Sequence, residues 1–239
     1  LTDNDIDFLN FVSPFLFVHP YYKWKRATKA VRALKTTIEE KDNTVKVKVA
    51  LDVQFMKNAY VSYTVYPDGK LAVYHSAVPK AALLRFGFQW NVDKSLTQIS
   101  WYGRGEAPSY PDRKTGYKIG KYSLPIDKFE YTYMRPQESS TRADVRYFTL
   151  TDKKGSGIKV TAYYDKPVLF CALPYTPFML DKYDHVTDVD RTHDITVNVD
   201  SSQYGIGGDM PGQAFVRDKY QVKAGEKQVL SFLVEPCKK

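Results

Sequence analysis

The sequence predicts an all-β protein, a large antiparallel sandwich or barrel with very little helix. Three observations carry this. Apolar residues recur with period two along most of the chain. Turn signals separate the alternating runs at short, even intervals. Nineteen Tyr, thirteen Phe and three Trp among 239 residues supply the aromatic side chains that strands favour.

The elements follow in order. In "TVKVKVALDV", residues 44–53, Val45, Val47, Val49, Leu51 and Val53 fall on one face. In "AYVSYTVYPDGKLAVYHS" two alternating runs flank Asp68 and Gly69, a hairpin signal. Further strands are expected at 83–92, 97–103, 117–123, 143–151, 157–164, 167–173, 194–200, 214–222 and 227–235. Turns are expected at Pro111-Asp112, Lys154-Gly155, Asp165-Lys166-Pro167 and Ala224-Gly225. One short helix begins in "PYTPFMLDKYDH", with Thr176 as its cap and Pro177 at its first position. The first 25 residues read as irregular, with a short helix around 6–12. No fixed-period repeat and no linker divides the chain, so residues 1–239 read as a single β domain.

Composition narrows the function. The formal charge is +8. Residues 21–50 hold nine Lys or Arg against three acids, and much of that stretch alternates as a strand, which makes it a solvated basic face rather than a nucleic-acid surface. Two cysteines make neither a disulfide framework nor a zinc site by count, and Cys171 in "VLFCAL" reads as a buried thiol. No stretch approaches a membrane span. "FLNFVSPFLFV" is short, broken by Pro14 and without a basic lead or cleavage site, so it does not read as a signal peptide. The sequence opens at Leu1 without a Met and reads as a fragment or a trimmed chain.

Each candidate for chemistry has a plainer structural role. The glycines of "QYGIGGDMPGQ", residues 203–213, do not open a helix and have no Walker lysine, so they shape a turn or bulge rather than cradle a nucleotide. His19, His75, His185 and His193 lack metal-ligand spacing. Asp3, Asn4 and Asp5 offer oxygens but lack the downstream glycine and glutamate of an EF-hand. Glu106, Asp112, Glu138 and Asp144 are carboxylates that glycosidase chemistry could use as a pair. Arg104, Arg113, Arg142 and Arg146 lie near them in sequence and suit a buried Arg–carboxylate network. The rival reading of the same stretch is a surface of planar polar groups beside aromatic faces, suited to a sugar.

The stretch "WYGRG…YPDRKTG" followed by "RPQE…TRADVR" resembles the C-terminal β domain of glycoside hydrolase family two β-galactosidases. "TDND" at 2–5, "YKWKRA" at 22–27, "PYTPFMLDKYDH" and "NVDSSQYGIGGD" resemble further family elements, in the family's order and across nearly the whole chain. The resemblance implies an antiparallel supersandwich of the galactose mutarotase-like type, lacking the family domain's first strands, as the C-terminal part of a multidomain retaining glycosidase. It implies that the two catalytic glutamates belong to a TIM-barrel domain of the same enzyme, so that this chain carries no catalytic residue, no metal site and no cofactor, although full family enzymes often use Mg or Na in other domains. The implied partners are that barrel and a carbohydrate substrate, within a homo-oligomeric enzyme, with no nucleic acid and no membrane. Substrate-adjacent positions by resemblance are Asp3, Asn4, Asp5 and Thr196. Arg104, Gln137, Arg142 and Arg146 are the candidates for carbohydrate binding, and a mutarotase-like carbohydrate-binding module is the alternative function. The sequence departs from the family pattern at Thr196, where the best-known members carry a pocket tryptophan. It departs again at Glu106-Ala107-Pro108-Ser109 and at Met210-Pro211, so the substrate wall is expected to be remodelled.

Overall fold

The computed structural model describes residues 22–163, 166–207 and 216–237. A helix, α1 (Tyr22–Lys29), leads into β1 (Arg32–Lys41), β2 (Thr44–Asp52), β3 (Met56–Val65), β4 (Leu71–Pro79), β5 (Arg85–Val92), β6 (Gln98–Arg104) and β7 (Ile119–Pro125). A single turn, α2 (Ile126–Phe129), and a long loop precede β8 (Arg142–Val145), β9 (Tyr147–Thr151), β10 (Gly157–Ala162) and β11 (Val168–Leu173). A second single turn, α3 (Pro177–Leu180), comes before β12 (Ile195–Gln203) and β13 (Gln228–Cys237). Every pairing is antiparallel. Nine strands form one sheet in the order β1-β2-β3-β4-β13-β10-β9-β6-β7, and four form the other in the order β5-β12-β11-β8.

The inner faces of the two sheets make the core. Alternation selects the residues: Phe86, Phe88 and Trp90 on β5, Val197 and Val199 on β12, and Phe170 on β11 point toward Val73, Phe148 and Phe232 of the larger sheet. Rings tie the layers together. Phe148 stacks on Phe170 with centroids 3.7 Å apart, Trp90 on Phe232 at 5.5 Å, and His75 on Phe86 at 4.5 Å.

Hairpins follow the turn chemistry. Asp68 and Gly69 close β3 to β4, as the sequence predicts. Asp42 and Asn43, both at positive φ, close β1 to β2 in a two-residue turn.

The structure corrects three expectations. The predicted strand at 143–151 is two strands in different sheets. Asp144 adopts φ +52°, and by Arg146 the backbone has already joined the larger sheet, donating to the Tyr102 carbonyl and accepting from the Ala162 amide. The buried set slips by one position across the crossing, from Ala143 and Val145 to Phe148 and Leu150, and the adjacent Tyr147 masks the slip in one apolar-rich run. The predicted strand at 214–222 is absent from its described part: 218–220 is a 3-10 turn, and Val222 makes only an isolated bridge to Leu83. Thr176 precedes the predicted helix in extended backbone with Pro177 at its start, but its hydroxyl makes no capping bond and the helix is a single turn. The helix expected around 6–12 lies outside the described residues.

His75 gives this packing a pH signature. Burial pushes its pKa below the ordinary 6.5, against the opposing effect of its 2.9 Å hydrogen bond with the Tyr60 carbonyl. A depressed folded-state pKa means that the unfolded chain takes up a proton that the folded chain refuses, so this stabilisation is present above pH 6.5 and is lost as pH falls below it. Denaturant titrations between pH 7.5 and 5 should show a drop in stability on acidification that is smaller in His75→Gln. An equal drop in both proteins would remove His75 from the account.

Candidate functional site

The smaller sheet has a second, polar face. On β5, Arg85, Gln89 and Asn91 alternate with the core rings, and on β12, Thr196, Asn198 and Asp200 alternate with the core valines. Paired positions bond across the strands. The Gln89 amide donates to Asn198 Oδ1 at 2.8 Å, and the Thr196 hydroxyl donates to Asn91 Oδ1 at 3.2 Å. In the third pair, Asp200 lies opposite Gly87, whose missing side chain makes room for the carboxylate: a Cβ there would stand 1.7 Å from Asp200 Oδ1.

Arg85 closes this face. Its guanidinium donates from Nε and Nη2 to the buried Asp200 carboxylate and from Nη1 to Glu138 Oε2 at 3.2 Å. Burial alone would ease the proton off Arg85, but the two carboxylates outweigh it and raise the pKa. Cys171 lies beneath, buried, its thiol 3.5 Å from the Ser139 carbonyl. Burial and the nearby Glu138 charge push that thiol's pKa up, away from thiolate chemistry.

A cleft of about 510 Å³ opens beside this network. Arg85, Gln89, Asn198 and Asp200 give it a polar side; Trp24, Met56 and Phe178 are among its apolar walls. A concave apolar space with a few convergent polar groups is the usual form of a small-molecule site.

A second cluster gathers around Asp144. Arg104 Nε and Lys114 Nζ each donate to its carboxylate at 2.7 Å, and Arg146 donates to its backbone carbonyl. Burial raises the Asp144 pKa, but these two cations outweigh it and the net shift is downward. Arg142 makes no ion pair with a described carboxylate, although the Glu106 charge acts on it. It is buried over the Phe129 and Trp101 rings, at 4.2 and 5.3 Å, and donates to the carbonyls of Ser140 and Phe129. Burial without a paired charge lowers its pKa to about 10.

The predicted binding residues therefore divide. Arg104 and Arg146 converge on Asp144. Arg142 is sealed in the core. Gln137 lies on the loop before β8, its amide donating to the Arg135 carbonyl. Thr196 is buried two residues along β12 from Asn198, the nearest cleft-lining residue of that strand. Asp3, Asn4, Asp5, Met210 and Pro211 lie outside the described residues. Of the expected carboxylate–arginine partners, Asp144 meets Arg104, whereas Glu138 meets Arg85.

Asp112 has a different partner, the glycine loop. The amides of Ile206 and Gly207 donate to its two oxygens at 3.0 and 2.8 Å. Gly205 lets the carboxylate approach, since a Cβ there would stand 2.5 Å from Asp112 Oδ2, and Gly207 takes φ +70°. The loop does hold an anion, and the anion is the chain's own. Among the described residues no three His, Cys, Asp or Glu side chains group as a metal site.

Residues 1–234 match the family model described as "Beta galactosidase small chain". The chain belongs to the β-galactosidase small-chain family. It is 31% identical over 218 residues to a β-galactosidase of Priestia megaterium, covering 89% of this chain and 21% of that protein. It is 32% identical over 219 residues to a β-galactosidase of Lactobacillus delbrueckii subsp. bulgaricus, covering 90% and 21%. The chain thus spans about a fifth of the length of these curated relatives. Among solved structures, a galactose mutarotase-like protein from Lactobacillus casei aligns over 84% of this chain and 73% of its own at TM-score 0.42 and 12% identity.

Arg85, Gln89 and Trp24 did not stand out in the sequence as functional residues. The signal for the first two was the alternation in "RFGFQWNV", whose polar positions face away from the core.

Asp112→Ala would leave two loop amides to water in place of the carboxylate, a cost of about 1 kcal/mol. Hydrogen exchange at Ile206 and Gly207 should accelerate more than exchange in β12. Unchanged protection would show that the loop holds its shape without Asp112.

Proposed function

We propose that this small chain serves as the C-terminal part of a β-galactosidase-type retaining glycoside hydrolase. It shapes one wall of the substrate site and stabilises the enzyme, while the catalytic carboxylates come from the TIM-barrel domain. The observation that supports this is that, among the described residues, five buried or half-buried carboxylates are committed to partners within the chain. Asp200 and Glu138 are held by Arg85, Asp144 by Arg104 and Lys114, Glu130 by Arg191 and the Tyr175 hydroxyl, and Asp112 by loop amides. Retaining hydrolysis needs one carboxyl kept protonated to act as acid and another free to attack the sugar. Carboxylates clamped by cations or spent on structural hydrogen bonds do neither.

The chain alone should therefore leave a nitrophenyl β-galactoside intact, and the whole enzyme carrying it should cleave that substrate. Turnover by the isolated chain that disappears on mutating its own carboxylates would overturn the proposal.

The cleft beside Arg85 supports a second reading, in which the chain itself binds a sugar between Gln89, Asn198 and the apolar walls. Calorimetric titration with galactose decides it. Heat of binding that Asn198→Ala abolishes while the melting temperature is kept would favour this reading. The absence of heat would leave the wall-forming role.

A further inference from the structure

The larger sheet is wider than the layer that covers it. Nine strands face four, and β1 is exposed along its whole length. Register shows which of its residues look inward. Thr36 pairs with Val49 and Val49 with Val61, Ile38 with Val47 and Val47 with Tyr63, and Glu40 with Val45 and Val45 with Val65. Directly paired residues share a face. This is the core face, because Val61 is buried and Tyr63 meets the Phe88 ring edge-on at 6.3 Å. Away from Val61 the same stripe runs into solvent: Ile38 is 65% exposed, Val65 46% and Val45 36%.

The other face of the same strands is charged. Lys35, Glu39 and Lys41 on β1 and Lys46 and Lys48 on β2 point outward. The alternation is that of a half-buried sheet, with Ile38 and the valines inward beside Glu40, and lysines outward, yet among the described residues nothing covers the Ile38, Val45 and Val65 end of the inward stripe.

What covers it follows from the edge and from the relatives. A second copy adding its own strand at β1 is opposed by Arg32, Lys35 and Lys41 and by the bulge between Ala33 and Lys35, devices that keep sheet edges from pairing. In the Priestia megaterium β-galactosidase the matched segment is 21% of the protein, so most of that polypeptide lies outside it. A stripe continuous with a core has the character of a permanent interface, a core divided between two bodies.

We infer that the overhanging inner face of β1, β2 and β3 (Ile38, Val45, Val47, Tyr63 and Val65) is the surface on which the remainder of the β-galactosidase docks. This rests on the reading of the chain as one part of such an enzyme, and it adds a docking surface on the larger sheet, whereas Thr196 lies on the smaller one.

Cysteine accessibility tests it. In a Cys237→Ser background, where Cys171 is buried, Ile38→Cys and Lys35→Cys are labelled with a maleimide in the chain alone and in the whole active enzyme. Ile38→Cys should react freely in the chain alone and at least tenfold more slowly in the whole enzyme, while Lys35→Cys reacts alike in both. Ile38→Glu should lower the melting temperature of the whole enzyme and leave that of the chain alone unchanged. Equal labelling of Ile38→Cys in both states of an active enzyme would overturn the docking surface and leave the functional proposal standing. Protection already present in the chain alone would also overturn it. Concentration-dependent protection would assign the face to a second copy, and protection lost on deleting residues 1–21 would assign it to the chain's own N-terminal segment. A whole enzyme without β-galactosidase activity would overturn the functional proposal, and this inference with it.

Discussion

An arginine enclosed by two carboxylates is costly to assemble and costlier to break, and Arg85 holds that position between Asp200 and Glu138. Much of the smaller sheet's polar face is arranged around it. Gly87 is side-chain-free where the Asp200 carboxylate crosses its strand. Glu138 ties the loop between α2 and β8 to the sheet, and that loop supplies the Ser139 carbonyl over Cys171 and the Ser140 carbonyl on Arg142. The polar side of the cleft is therefore set by an ion network more than by strand pairing alone. Such a network adds little net stability over an apolar replacement, but it penalises every arrangement in which one member is left unpaired. That penalty favours a single geometry of the polar face.

The same economy recurs elsewhere in the chain. Asp144 gathers Arg104 and Lys114 at the point where the backbone leaves one sheet for the other, and Asp112 fixes the glycine loop after β12. Arg142 is held by ring faces and carbonyls instead of a carboxylate. Charges that look available for chemistry in the sequence are spent on positioning backbone. Such commitments are what the proposed function asks of this domain: that it shape and support a site whose reacting groups come from elsewhere.

Much of this was legible in the sequence. Period two gave the strands and their inner faces, and Asp68-Gly69 gave a hairpin. The ordered motifs from "WYGRG" to "GIGGD" gave the family. What stayed hidden depended on contacts between distant residues. Arg85 and Asp200 are 115 positions apart, and no local pattern joins them. At the crossing after Asp144 the buried positions slip from Ala143 and Val145 to Phe148 and Leu150, but Tyr147 fills the gap with another apolar-looking side chain, so one run of residues concealed two strands. Asp112 was expected to meet one of the nearby arginines, yet the amides that it holds are 94 and 95 positions away. Of the glycine loop only the part up to Gly207 is described, and the Asp112 carboxylate that its amides hold is visible only in three dimensions.

The central claim, that Arg85 and Asp200 act as one unit, is tested most directly by a double-mutant cycle on stability with Arg85→Met and Asp200→Asn. Each single change strands part of a buried charge network, at a cost of about 3–5 kcal/mol. The double variant should cost clearly less than the two together, with a coupling of about 1–3 kcal/mol. Additivity within about 0.5 kcal/mol would contradict the account and reduce the pair to two independent side chains.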